Sequence, residues 1–546
     1  MTVPGLDPTS SYSRHLAARF LDFTSPKTPW ARRLWDLGSF LALEELHDVG
    51  EWLDRQVLSP RAVKWLQHDL EKQLGRDAAF GTRELSQQLT RCVRSDLTIR
   101  SDGRRRLRQI IDLARPGYLD RWAAEAARAE PPRAERVARA AATHLLDSGH
   151  SLPGLHRWLA ERSTLSAVDL LTEAASLAAL SPKQFRIWVP VISLPKPERL
   201  ADPLPNFTRR SDLDPETAEQ LQPTSTKPLL GAFSYDIEAR DAERAVEVVI
   251  EVVERMRARA RFTGVAGQVV VARQAYVATE NRLIELRTPD RGALIMSLVS
   301  EGQLFDVNPA KTYAAQRHAI DDALELASPL NTGALAPAIS GSWAALEALL
   351  TDAQDSDEDE GKVVAAVRAA RLAACSWPRA ELTALSYQVD EHTAAGKQLA
   401  SKLQGVGTNR DRSEIVAAQL RQNNGLPLRR SWRFQSDIAA VARMNGLLAN
   451  PAKVLNQVSG YVEASFRRMY RCRNVIVHGG STRGDVLDST LRVVAPLVGA
   501  TLDRLTHAHL VLGIEPLQLA TRADVAISMA SDQKMGFDVV DLLGGS

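Results

Sequence analysis

The spacing of hydrophobic residues changes twice along the chain, and this limits the possible folds more than any other feature. The spacing is helical up to about residue 182 and again from about residue 306 onward. Between these points, apolar and β-branched residues follow a strand-like pattern around one helix. We therefore predict a mainly α protein with three regions: an all-helical N-terminal region (1–182), a small central α/β domain (183–305) and a C-terminal helical bundle (306–546).

Gly, Pro and Asp residues divide both helical regions into separate segments. The N-terminal segments are Leu34 to Leu53, Pro60 to Leu74, Arg104 to Ala114, Tyr118 to Ala129 and Arg133 to Leu146. The C-terminal segments are Thr332 to Leu350, Val363 to Cys375, Arg379 to Val389, Ser413 to Gln422, Ser436 to Leu448, Val454 to Val477 and Val486 to His507. The central region has strands at Phe185 to Val191, Leu229 to Ile237, Gln268 to Ala278 and Arg282 to Leu286, and a helix from Ala242 to Arg261.

Composition excludes several classes of protein. A net charge of +2 gives no strong overall attraction to nucleic acid or membrane, so any anion binding must come from local clusters. Cys92, Cys375 and Cys472 are far apart and form no CxxC pair, which argues against a disulfide framework or a zinc site. No segment is typical of a signal peptide or a membrane span. We expect a cytoplasmic protein without a metal or cofactor.

Near the C-terminus, polar residues interrupt the apolar stripe of a predicted helix. The stripe consists of Val462, Phe466, Met469 and Ile476. Helical spacing places Arg473 on this stripe, where an unpaired cation is costly and requires a partner, an anion or a cavity. Asn474 and His478 share a helix face beside it, and Gly479-Gly480 predicts the helix end. Three polar groups are thus expected to meet at one helix terminus.

These residues resemble the signature of the HEPN superfamily, in which an arginine, usually followed by a polar residue, precedes a histidine by four to six intervening positions. Arg473-Asn474 and His478 match that pattern. The segment from Ser342 to Leu350, with Glu347 after Trp343, is similar to the first helix of ApeA-like prokaryotic HEPN domains. The resemblance covers roughly the last two-fifths of the chain. It implies a helical bundle in which the Glu347 helix faces the Arg473 helix.

The spacing of Arg473 and His478 alone carries little information, because arginine is abundant in this sequence. Similar intervals separate other pairs, which act as internal controls: Arg139 and His144, Arg504 and His509, and Arg61 and His68. What distinguishes Arg473 is the polar neighbour, the glycines that follow and the basic residues that precede it. The simpler alternative is a surface arginine and a histidine that caps the helix C-terminus.

The resemblance implies a metal-independent endoribonuclease with Arg473, Asn474 and His478 as catalytic residues and Glu347 in support. It also implies a homodimer, in which Arg467, Arg468 and Arg471 would lie beside the RNA. A role as a phage-defence or abortive-infection toxin follows from the same likeness, with the first 305 residues sensing a trigger or binding a phage-derived or antitoxin regulator. The alternative is a HEPN module that binds RNA, a nucleotide or a protein partner without cleaving it.

Two other motifs compete for a function. Asp236 and Glu238 form a D-x-E at a strand end, which resembles the first metal-binding motif of DEDD-type exonucleases. No later aspartates follow in the required order, so we favour exposed strand-end carboxylates, with Asp241 as the N-cap of the next helix. The cluster Arg104-Arg105-Arg106-Leu107-Arg108 is a possible phosphate site, although such runs more often form a solvated helix face. No phosphate-binding loop of an NTPase is present in the sequence.

Overall fold

The computed structural model describes residues 3–35, 38–195, 204–263, 269–288, 290–305, 319–355, 363–429, 435–480, 484–530 and 538–544. Within these ranges the protein is mainly α-helical with one small antiparallel sheet, so the predicted fold class is confirmed. None of the described helices combines the length and hydropathy needed to cross a membrane.

Nine helices precede the sheet. Their bounds are α1 Ser11–Thr24, α2 Ser39–Asp54, α3 Pro60–Leu74, α4 Arg83–Val93, α5 Asp102–Ala114, α6 Tyr118–Ala126, α7 Ala134–Asp147, α8 Leu152–Arg162 and α9 Ala167–Ala179 among the described residues. Several begin where a hydroxyl side chain accepts a hydrogen bond from the first turn. Ser10, Ser59, Thr82 and Ser101 act in this way for α1, α3, α4 and α5.

The central sheet is antiparallel, with strand order β2-β3-β1-β5-β6 and β4 also paired with β1. The strands are β1 Lys183–Ser193, β2 Phe207–Arg209, β3 Gly231–Ala239, β4 Val270–Val271, β5 Gln274–Val277 and β6 Arg282–Glu285, with helices α10 Pro215–Leu221 and α11 Ala242–Arg261. Phe185, Ile187 and Val189 alternate along β1 and bury one face against α11. The predicted bounds of α11 are confirmed, whereas α10 and β2 lie where no helix or strand was predicted.

The C-terminal helices enclose the largest hydrophobic core among the described residues. They are α12 Ser297–Ser300, α13 Ala319–Ala327, α14 Leu335–Leu350, α15 Val364–Ser386, α16 Ala394–Leu403, α17 Asn409–Asn423, α18 Gln435–Ala449, α19 Pro451–Gly479, α20 Gly484–Leu510 and α21 Pro516–Met529. The acidic segment after α14 is described as far as Asp355, whose carboxylate pairs with Arg368 at 2.7 Å.

The chain divides into two compact units. One unit contains Leu145–Ala160 and Ser176–Pro289, and the other contains Met1–His144, Glu161–Ala175 and Asp290–Ser546. Most helices of the N-terminal region (1–182) and of the C-terminal bundle (306–546) belong to the larger unit, and most of the α/β region (183–305) belongs to the smaller one. The three-domain organisation stays a prediction.

Buried charges explain why the N-terminal and C-terminal helices form one unit. Arg32, 7% exposed, donates from Nε to Glu381 Oε1 at 2.5 Å and also pairs with Asp437. Arg443 donates to the same Glu381 oxygen at 3.2 Å. Trp377 Nε1 donates to the backbone oxygen of Ala31 at 3.3 Å. Since separation would leave these charges without partners, the two sets of helices are expected to unfold together.

The buried Glu381 carboxylate makes stability dependent on pH. Burial raises the pKa of Glu381, but the guanidinium groups of Arg443 and Arg32 outweigh burial and hold this pKa below its ordinary value. A carboxyl group whose pKa is lower in the folded protein stabilises the fold at pH values above its unfolded pKa of about 4.3. This stabilisation is lost as the pH falls through the folded pKa. We expect Glu381→Gln to make the free energy of unfolding less dependent on pH below about 4.3. Urea unfolding at several acidic pH values would measure this slope, and an unchanged slope would contradict the prediction.

Candidate functional site

The helix α19 is predicted as Val454 to Val477 and extends further at both ends, from Pro451 to Gly479. Pro451 lies in its first turn, where a missing backbone N–H costs nothing. Val462, Phe466 and Met469 are fully buried and form a continuous apolar stripe that packs into the C-terminal core. The ring of Tyr470 lies 5.2 Å from that of Trp343. Helices α19 and α14 are therefore in contact, as predicted for the helices that carry Arg473 and Glu347.

The three predicted polar groups meet at the C-terminal end of α19. Arg473 Nη1 donates to Asn474 Oδ1 at 3.0 Å and lies 3.4 Å from His478 Nε2. A guanidinium has no acceptor atom, so a hydrogen bond here requires an unprotonated Nε2 and places the imidazole proton on Nδ1. Asn474 is buried, Arg473 is half-buried and His478 is exposed. The cluster thus has a fixed inner side and an outer side that faces solvent.

Arg473 is a cation without a carboxylate partner among the residues that the structure describes. Its two hydrogen-bonding partners, Asn474 and His478, are both uncharged in the tautomer above. By contrast, the three arginines that precede it on α19 form ion pairs: Arg467, Arg468 and Arg471. An unpaired, half-buried guanidinium is well suited to bind an anion through its planar set of donors.

The sequence-based expectation that Arg467, Arg468 and Arg471 line an open RNA groove is not met. Arg468 and Arg471 are 2% and 4% exposed and face Glu45 of α2. Arg468 Nε lies 2.9 Å from Glu45 Oε2, and Arg471 Nε donates to Glu45 Oε1 at 2.8 Å. Arg467 pairs with Glu463 and lies over the ring of Trp65 at 4.9 Å. These arginines hold α19 against the N-terminal helices, because α2 and α3 cover the face that they occupy.

Glu347 does not contact the cluster. Its half-buried side chain forms no ion pair or hydrogen bond with Arg473 or His478 in the described structure. Its backbone oxygen accepts a hydrogen bond from the hydroxyl group of Thr351. The suggested neutralisation of Arg473 by Glu347 is therefore not observed. A supporting role for Glu347 stays a prediction that depends on a change of conformation or on bound substrate.

The N-terminal helix α2 supports the end of α19. Arg55, just beyond α2, donates from Nη2 to the backbone oxygen of Gly479 at 3.2 Å. A Cβ on Gly479 would lie 2.8 Å from the ring of Trp52, which is closer than carbon atoms pack. Gly480 has φ +65° and ends the helix in the left-handed conformation that glycine favours. Trp52 and Arg55 lie more than 400 residues before Gly479 in the sequence, so no local sequence pattern indicates these contacts.

We expect Gly479→Ala and Gly460→Ala to have opposite effects on stability. The alanine at 479 would press on Trp52 and destabilise the helix end, whereas nothing lies within 4 Å of a Cβ at 460. Because Gly460 is exposed inside the same helix, alanine there should raise the free energy of unfolding by about 0.5–1 kcal/mol. Thermal unfolding of both variants measures the contrast. Equal melting temperatures would show that Gly479 is not constrained by Trp52.

The control pairs with similar spacing have different surroundings. Burial lowers the pKa of His144 to about 4, with a further contribution from Arg115 and Arg121. Its ring packs beside Tyr118 at 5.0 Å, so His144 is a neutral core residue. His509 lies 3.7 Å from Glu515, close enough for an ion pair if it is protonated. The exposed position of His478 beside an arginine without a carboxylate distinguishes it from these two.

The rival D-x-E motif forms surface interactions. Asp236 is exposed and pairs across the sheet with Arg186 at 2.5 Å. Asp241 Oδ1 accepts a hydrogen bond from the backbone N–H of Arg244 at 2.8 Å, so its predicted role as the N-cap of α11 is confirmed. Within the described ranges, His, Cys, Asp and Glu residues form no group of three that could hold a metal ion.

Comparisons with known proteins place the chain in no group. No family model matches the sequence, and neither a curated protein nor a solved structure matches it.

Proposed function

We propose that this protein is a metal-independent endoribonuclease whose reaction takes place at Arg473, Asn474 and His478. The observation that carries the proposal is a guanidinium without a carboxylate partner, 3.4 Å from an exposed imidazole nitrogen. RNA contains its own nucleophile, the 2′-hydroxyl group. Cleavage therefore needs a group that moves protons and a cation that stabilises the charge of the phosphorane-like transition state.

In the proposed mechanism, Arg473 turns from His478 to the phosphate when RNA binds, and the freed Nε2 of His478 removes the proton of the 2′-hydroxyl as the oxygen attacks the adjacent phosphorus. Arg473 donates hydrogen bonds to the non-bridging phosphate oxygens, where negative charge increases. The bond from phosphorus to the 5′-oxygen then breaks, and this oxygen takes a proton from the imidazolium or from water. The products are a 2′,3′-cyclic phosphate and a 5′-hydroxyl. Asn474 orients Arg473 through the hydrogen bond to its Oδ1.

We also propose membership of the HEPN superfamily, close to its ApeA-like domains, and a homodimer in which two such clusters meet. Support comes from the position of the cluster at the end of a long helix and from the packing of this helix against α14 through Tyr470 and Trp343. The corresponding biological role is a cytoplasmic toxin of a phage-defence or abortive-infection system. Because α2 and α3 hold α19, the N-terminal helices are the proposed regulatory part.

A second candidate is a HEPN module that binds RNA, a nucleotide or a protein without cleavage. One observation favours it: in the described structure no carboxylate orients the imidazole of His478, whose hydrogen-bonding partner is the guanidinium of Arg473. In this case Arg473 would bind a phosphate while His478 would only complete the binding surface.

Incubation of the purified protein with total RNA in excess EDTA tests the proposal. We expect cleavage in EDTA and a large loss of cleavage in Arg473→Ala, with a partial loss in Arg473→Lys, because lysine keeps the charge but not the planar pair of donors. Arg128→Ala serves as a control, because Arg128 is 66% exposed and pairs only locally with Glu125. Cleavage that requires a divalent metal, or that is equal in wild type and Arg473→Ala, would refute the proposal.

A further inference from the structure

A groove of about 810 Å³ lies between α2, α4 and α5, in the N-terminal part of the larger unit. Its volume is within the range of about 300–1,000 Å³ that is typical of small-molecule sites. Four arginines contribute to its wall: Arg104, Arg105, Arg106 and Arg108. The wall includes no aspartate or glutamate. The arginine cluster noted in the sequence therefore borders a concave site instead of a uniformly convex helix face.

The charge of this groove is only partly neutralised. Asp102 serves both Arg105 and Arg106, at 2.8 and 3.3 Å, and Asp112 pairs with Arg108 at 3.0 Å. Arg104 donates to the backbone oxygen of His47 at 2.8 Å, an interaction that supplies no negative charge. Two carboxylates thus pair with three of the four guanidinium groups, while Asp48 and Asp54 contact His47 and the backbone of Ile99 at the groove. Since exposed ion pairs are weak, a phosphate group can replace Asp102 or Asp112 at small cost.

Apart from the arginines, the wall includes His47, Gln88 and Gln109 and several apolar side chains, two of which are exposed. Leu113 and Ile99 are 69% and 44% exposed, and both border the groove with Ile110. These positions lie within reach of the arginines, because Leu113 and Ile110 are on α5 and Ile99 precedes it. A ligand that covered them would gain roughly 25 cal/mol per Å² of apolar surface removed from water. The groove therefore favours a ligand that has both several negative charges and a flat apolar part.

We propose that this groove binds a small nucleotide with two or three phosphate groups. The arginines hold the phosphates, and the base covers Leu113 and Ile110. The finite volume and the apolar floor favour one small molecule over a long polyanion, which would require an open, uniformly basic track. The proposal concerns a site on α4 and α5 and is independent of ribonuclease activity at Arg473 and His478.

Isothermal titration calorimetry of the full-length protein with ATP, at low ionic strength, tests the proposal. We expect Arg105→Ala/Arg106→Ala to weaken ATP binding at least tenfold, because two of the phosphate contacts are lost. Arg128→Ala, which removes an equally exposed arginine outside the groove, should change the dissociation constant less than twofold. Both variants alter exposed side chains, so circular dichroism should show unchanged folding.

A second comparison tests the contact between the nucleotide base and Leu113. Leu113→Ser should weaken ATP binding severalfold but leave the binding of inorganic tripolyphosphate unchanged, since tripolyphosphate has no part that covers Leu113. Absence of ATP binding at 1 mM nucleotide would overturn the proposal. Tripolyphosphate binding as tight as that of ATP would also overturn it, because the site would then select phosphate alone.

Discussion

Replacing His478 with alanine is expected to lower the rate of RNA cleavage by about 10²- to 10⁴-fold, the usual contribution of a general acid or base. The folded protein should tolerate this change, because His478 is exposed at the end of α19 and, among the described residues, its side chain hydrogen-bonds to Arg473. Cleavage of a labelled RNA under single-turnover conditions measures the effect. The melting temperature should stay within about a degree of wild type, since exposed substitutions change stability little.

His392→Ala is the matched control for this substitution. His392 is also exposed, and the contact recorded for it is a hydrogen bond from its backbone N–H to Asp390. We expect His392→Ala to cleave RNA at the wild-type rate. Equal losses in both variants would show that histidine removal acts through stability or expression. Unchanged cleavage in His478→Ala would rule out its role in proton transfer.

Glu45→Ala is expected to reduce the free energy of unfolding by roughly 3–5 kcal/mol, because it leaves buried cations without a partner. Arg468 and Arg471 are 2% and 4% exposed, and Glu45 is the carboxylate that pairs with both. Burial raises the pKa of Glu45, but Arg471 and Arg468 outweigh burial and hold this pKa below its ordinary value. The carboxylate is therefore ionised at neutral pH, where urea unfolding would measure the loss.

The matched control for Glu45 is Glu414→Ala on α17. Glu414 pairs with Arg410 at 3.0 Å, but both side chains are more than 40% exposed, so this pair contributes little to stability. Glu45→Gln should fall between the two, because glutamine can accept a hydrogen bond from one arginine without balancing either charge. If Glu45→Ala unfolded at the same urea concentration as Glu414→Ala, the buried ion pairs would not hold α19 in place.

Much of the fold could be predicted because the hydrophobic spacing of each helix records which face is buried. The bounds predicted for α3 and α11 match the structure at both ends. Proline misled the prediction once: the segments predicted as Val363 to Cys375 and Arg379 to Val389 are joined in one continuous helix, α15 (Val364–Ser386), with Pro378 inside it. Pro378 is buried in that helix, and packing of its neighbours into the core outweighs the hydrogen bond that proline removes.

The candidate site was predictable only where it depends on one helix. Arg473, Asn474 and His478 share a terminus because of the helical repeat, and the structure brings them together as expected. The roles of Arg468 and Arg471 could not be predicted, because their partner Glu45 lies more than 400 residues earlier. A basic run looks the same in a sequence whether it faces water or a carboxylate of a distant helix. The RNA-binding role expected for Arg468 and Arg471 was implied by the resemblance to the HEPN signature.

The ends of the cleavage products test the central claim most directly. Mass spectrometry of an oligoribonucleotide cleaved in EDTA should show a 2′,3′-cyclic phosphate and a 5′-hydroxyl. The same oligonucleotide with one 2′-deoxy substitution at the cleaved position should remain intact there, because the attacking oxygen is missing. Products with a 3′-hydroxyl and a 5′-phosphate, or cleavage at the 2′-deoxy position, would contradict a reaction in which His478 and Arg473 assist attack by the 2′-hydroxyl.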